Sequence, residues 1–180
     1  MKLFDNNFKE ILTAQIIFVF IGLIAGTILA VYTDKILLIP GMLILLPGFL
    51  EMKGNIGGTL SSRITSGLFL GVINKNNIKT KIIKTNLLAS FCLVIIISTI
   101  LGLIAFIFNY LLLKEIIYEI ILIPILASIL SNSIELPLGI FATFYLFKKG
   151  HDPSNIMGPF IASLGDITSI VSLLVVMVFI

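Results

Sequence analysis

An aspartate stands inside the apolar stretch DPSNIMGPFIASLGDITSIVS, residues 152–172. Asp152 suits a helix N-cap and Pro153 suits the first helical turn. Helical spacing then lines up Asn155, Gly158, Pro159, Ala162, Ser163, Asp166 and Ser169 on one face, with Ile, Leu, Phe, Val and Met on the others. At about 1.5 Å per residue, Asp166 lies roughly 10 Å beyond Pro159, well inside a hydrocarbon layer. A carboxylate at that depth is costly, so it marks an ion or substrate path, or else a polar tie between helices through Ser163 and Ser169. Carboxylate, hydroxyl, amide and carbonyl oxygens suit hard cations such as Mg²⁺, Ca²⁺ or Na⁺. One carboxylate per chain cannot hold a dehydrated divalent ion. Two copies of Asp166 across a twofold axis would offer two charges to a hydrated Mg²⁺, which requires a dimer or a pair of homologous chains.

Two other stretches carry polar residues at membrane depth. Lys53-Gly54-Asn55-Ile56-Gly57-Gly58 offers the Asn55 amide and close backbone approach at Gly54, or an ordinary turn between helices. Glu51 and Arg63 beside it read as a salt bridge or as snorkelling side chains. Glu135 lies within SILSNSIELPLG, residues 128–139, and is either a second acidic site on a pathway or a partner of Ser131 or Asn132. No nucleophile–base pair, nucleotide loop or cysteine metal motif occurs, which argues against an embedded enzyme and an organic cofactor. Cys92 is the single cysteine and His151 the single histidine.

These residues need a membrane scaffold. The 180-residue chain is 58% hydrophobic and 12% charged, proportions that exclude a soluble domain of this size and any nucleic-acid partner, and place the protein in the lipid bilayer. The expected fold is an all-α integral membrane protein of five transmembrane helices. A short cytoplasmic segment, residues 1–10, precedes spans at about 11–31, 36–72, 85–108, 116–147 and 153–180. Gly22 and Gly26 form a small-xxx-small pair in the first span. Asp34-Lys35 reads as a turn. The second span is expected to be broken, because Pro40-Gly41, Pro47-Gly48 and the glycines at 54, 57 and 58 interrupt it. The fourth, containing Pro124 and Pro137, reads as one tilted or kinked helix, with a two-piece hairpin as the alternative. With the N-terminus in the cytoplasm and the C-terminus outside, eight lysines fall inside against two outside, Lys35 and Lys114, with Lys53 and Arg63 left out as intramembrane.

PGFLEMKGNIGGTLSSRITSG (residues 47–67) resembles the Pro…Gly-Asn motif of MgtE-type magnesium transporters, in the Lys-Gly-Asn form of their eukaryotic solute-carrier relatives. KGHDPSNIMGPFIASLGDITS (residues 149–169) resembles the last membrane helix of the same family. The resemblance implies a five-helix unit that pairs into a dimeric pore, with helices two and five lining the path and Mg²⁺ as the transported ion. It maps the family's acidic magnesium ligand onto Asp166 and its Gly-Asn onto Gly54-Asn55. Ser163 would contact the ion's waters, and Glu135, Asn155 and Ser169 would lie along the pathway. Ser169 replaces a family glycine, and Gly58-Thr59 stands where a glutamine is usual. The chain carries one unit, without the cytoplasmic magnesium-sensing domains of bacterial members. A Na⁺- or H⁺-coupled exchanger and a non-transporting partner subunit are the alternative functions.

Overall fold

The computed structural model describes residues 5–180, which form six helices in the order α1 Asn6–Val31, α2 Thr33–Ile36, α3 Met42–Phe69, α4 Lys81–Leu113, α5 Glu119–Lys148 and α6 Pro153–Phe179. Side-chain caps start three of them. Asp5 Oδ1 accepts from Phe8 N (2.8 Å), Thr80 Oγ1 from Ile83 N (3.4 Å), and Asp152 Oδ1 from Ser154 N (2.8 Å), as the sequence leads one to expect at Asp152. Four helices, α1, α4, α5 and α6, are long and apolar enough to cross a membrane. α3 matches them in length but carries Glu51, Lys53 and Arg63. The protein is a multi-pass membrane protein, and large residues such as Phe20, Leu23, Leu103, Leu126 and Phe141 face outward.

The second span differs from expectation. Its break falls at residues 37–41, where α2 ends and Gly41 takes φ +86° to start α3. A side chain there would be strained, and a Cβ would also sit 2.6 Å from Asn109 Oδ1. Beyond it α3 runs unbroken through Pro47 and through Gly54–Gly58. Each glycine in a helix costs about 1 kcal/mol, but packing on three sides outweighs that local preference. The boundaries elsewhere move as well. α1 begins at Asn6 rather than 11, Asp34-Lys35 is helical and α4 is longer at both ends than 85–108, while α5 is the single helix expected through Pro124 and Pro137.

α3 and α5 form the centre. α3 packs on α4, α5 and α6, and α5 packs on α3, α4 and α6, while α1 leans on α6 and buries only Ala14 and Ala25. The shared core consists of Phe49, Met52, Ile56, Leu60 and Ile64 from α3, Ile123, Ala127, Leu136, Ile140 and Phe144 from α5, Val94 from α4, and Leu173 from α6. Ser61 and Thr143 exchange a buried hydroxyl bond of 2.9 Å between the two central helices. Phe69 meets Phe147 edge-on at 5.1 Å, and His151 Nδ1 lies 2.6 Å from Glu10 Oε1. Those contacts gather Lys9, the lysines of residues 75–84, Lys148 and Lys149 at one end of the bundle, with Lys35 and Lys114 at the other.

Close packing of a glycine against another helix's backbone lies away from the Gly22–Gly26 pair. Gly22 meets only Ser163 Oγ, at 3.8 Å from where a Cβ would stand, and Gly26 has open space. At Gly102 of α4, by contrast, a Cβ would lie 2.8 Å from the Ile121 carbonyl oxygen and 3.0 Å from its Cα. Backbone cannot yield there as a side chain can. Gly102→Ala is therefore expected to lower the detergent-solubilised protein's thermal midpoint by several degrees, and Gly26→Ala to leave it unchanged, as read by a thiol-independent thermal-shift assay.

Candidate functional site

Asp166 is the central residue of α6, about 20 Å by helical rise from either end. It faces α3 across a cleft of about 440 Å³ lined by Pro47, Leu50, Glu51, Gly54, Asn55, Ala162 and Asp166. Asn55 Nδ2 donates to Glu51 Oε1 one turn back on α3 at 3.1 Å. With its nitrogen so engaged, Asn55 keeps its carbonyl oxygen for other donors. Because α3 is a regular helix here, the peptide groups of Gly54 and Asn55 are held within it, and side chains supply the cleft's polarity.

The cleft belongs to a longer feature. Pro47, Glu51, Asn55, Thr59, Ser62 and Ser66 recur at helical spacing and are all exposed. Gly54, Gly58 and Arg63 widen this stripe, and with Asn55, Thr59 and Ser62 they line a second hollow of about 360 Å³. From Pro47 to Ser66 the stripe runs about 28 Å, close to the thickness of a hydrocarbon layer. Glu51 and Arg63 do not pair, since three turns of helix separate them. Arg63 Nη1 instead reaches Asn86 Oδ1 on α4 at 3.5 Å.

The remaining residues singled out from sequence have other neighbours. Ser163 Oγ donates to the Phe18 carbonyl at 2.6 Å and so ties α6 to α1. Asn155 Nδ2 donates to Glu10 Oε2 at 2.7 Å, beside His151. Ser169 is fully buried, and its hydroxyl has no partner among the described residues. Asp166, Asn55 and Gly54 thus converge, while Ser163, Asn155, Ser169 and Glu135 do not join them.

Glu135 has a partner that sequence reasoning missed. Lys53 Nζ lies 3.1 Å from Glu135 Oε2, and both side chains are wholly buried. Lys53 Nζ also donates to Ser131 Oγ, whose own hydroxyl reaches the Ala127 carbonyl at 2.7 Å. Asn132, the other partner considered, donates to the Ser128 carbonyl at 2.8 Å. Two glycines make room for the carboxylate. A Cβ at Gly57 would stand 2.9 Å from Glu135 Oε1, and one at Gly165 would stand 3.3 Å from it. The i, i+4 recurrence of polar residues on α3 could have revealed the stripe; nothing in the spacing tells Lys53 from Glu51 as the buried charge.

Among the described residues, no three His, Cys, Asp or Glu side chains gather as a cage for a bare metal ion. The cleft can instead receive a cation that keeps its water, as Mg²⁺ commonly does. Residues 46–176 match the MgtE family of divalent cation transporters. The chain belongs to that family. No individual curated protein and no solved structure matches it. The MgtE match takes in α4, α5, all but the last few residues of α6, and α3 from Leu46 onward, while α1 lies before it. The family is one of divalent cation transporters rather than of enzymes, and the function it implies is divalent cation transport.

In this MgtE-family chain, Lys53→Met would leave Glu135 buried without its counter-charge, and breaking a buried pair costs about 3–5 kcal/mol. Lys53→Met/Glu135→Gln, which removes both charges, should recover most of that loss. Reversible denaturation in mixed micelles measures both; equal stability of Lys53→Met and the parent would contradict the pair's structural weight.

Proposed function

We propose that the protein conducts hydrated Mg²⁺ across the membrane, along a path made when the α3–α6 face of one chain meets that of a second copy or a homologous chain. The observation that carries this reading is the exposed polar stripe on α3 with Asp166 beside it at mid-depth. Groups of that polarity are not tolerated against lipid tails, so the face must meet protein or water. α3 then counts as a fifth span that is wetted along one side. Asp166 attracts the ion, while Glu51 and the Asn55 carbonyl oxygen accept hydrogen bonds from its waters. The second chain's Asp166 doubles the charge, which suits an ion held through its hydration shell.

The positive-inside rule favours an orientation with the basic end of the bundle toward the cytoplasm, the N-terminus inside and the C-terminus outside. An inside-negative potential then favours uptake by about 2.3 kcal/mol per charge per 100 mV. Asp166→Ala should reduce Mg²⁺ uptake into proteoliposomes by at least about tenfold while the protein stays folded. Uptake equal to the parent would remove Asp166 from the path. In a Cys92→Ser background, Ala162→Cys is expected to crosslink two chains under mild oxidation, whereas Phe20→Cys on the outer face of α1 is not. Absence of the Ala162→Cys crosslink in transport-competent vesicles would count against the twofold arrangement.

A further inference from the structure

The buried Lys53–Glu135 pair lies directly behind the cleft. Gly165, against which Glu135 Oε1 packs, is the residue preceding Asp166, and Lys53 precedes Gly54 and Asn55. With consecutive Cα atoms 3.8 Å apart, the Glu135 carboxylate falls within about 10 Å of the Asp166 side chain. Neither group of the pair reaches solvent, so water does not screen what they exert on the cleft. Glu135 alone would be a second fixed negative charge beside Asp166. Lys53 cancels it.

We infer that Lys53 and Glu135 together set the cation affinity of the Asp166 site, holding the net charge at one negative per chain so that a divalent ion is attracted yet released. The inference rests on the reading of Asp166 as the ion's anchor. Lys53 acts as a tethered internal cation in a carboxylate pocket that would otherwise admit a small cation. Its ammonium is wholly buried and donates to Ser131, while both Glu135 carboxylate oxygens lack a hydrogen-bond donor among the described residues and Oε2 meets Lys53 as a charge contact. The carboxylate is thus held by charge, with two glycines giving it space. The arrangement makes Glu135 a specificity-determining residue acting through Asp166, and takes it out of the cation's own path.

The signature is a pair of shifts in opposite directions. Removing the positive charge with Lys53→Met should lower the half-saturating Mg²⁺ concentration for proteoliposome uptake about tenfold, with maximal flux reduced by slow release. Removing the negative charge with Glu135→Gln should raise it about tenfold. Lys53→Met/Glu135→Gln should return within about threefold of the parent, because the net charge is restored. If Lys53→Met does not reach the membrane folded, Glu135→Gln and the double variant decide the matter: a rise in the first that the second reverses supports the inference. Shifts in the same direction, or none, would overturn it while saturable, Asp166-dependent uptake persisted. If Asp166→Ala left half-saturation where it is in the parent, the anchor reading itself would fail first.

Discussion

A charge placed among hydrocarbon chains must meet an opposite charge or water, and that constraint fixes how α3 is turned. Successive residues of a helix differ by about 100°, so Glu51 and Asn55, two positions to either side of Lys53, point nearly opposite to it. Once Lys53 is buried against Glu135 on α5, Glu51 and Asn55 must look outward. Thr59 and Ser62 follow on the same side. One internal ion pair therefore orients the whole polar stripe, and the stripe brings α3 against the half of α6 that carries Asp166. Gly57 and Gly165 are the complementary feature, since any side chain at either would press on the carboxylate.

The helices divide their work along these lines. α4 and α1 present Leu, Ile and Phe outward and hold few polar groups that need satisfying. α3, α5 and α6 each contain at least one internal proline, at Pro47, Pro124, Pro137 and Pro159. Each proline leaves one carbonyl without its usual helical donor. The three helices that surround the Lys53–Glu135 pair are thus also the three with interrupted ladders.

Much of this was legible in the sequence because it depends on local rules. The Asp152-Pro153 start of α6 follows from capping alone, and α5 is the single helix expected through Pro124 and Pro137. Where tertiary packing overrides local preference, the sequence misleads. Gly54, Gly57 and Gly58 look like a break, yet α3 passes through them because Gly57 must fit against Ile161 and Glu135. Gly22 and Gly26 have the spacing of a packing motif, yet Gly102 is where two backbones meet. Ser163 shares a face with Asp166 by period, but its hydroxyl turns to Phe18, at the edge of that face. Nor could one chain reveal that Lys53 and Glu135, far apart in sequence, neutralise one another.

α1 has a consequence of its own. It leans on α6 alone among the long helices, buries two alanines, and is fastened by the Ser163–Phe18 bond and the contacts of Glu10 with His151 and Asn155. Local opening begins where buried contacts are fewest. α1 is the least buried of the long apolar helices, and it packs on α6 without lining the α3–α6 cleft. The chain thus sets one outer helix, exposed over most of its surface, beside a four-helix body that encloses the Lys53–Glu135 pair and lines the α3–α6 cleft.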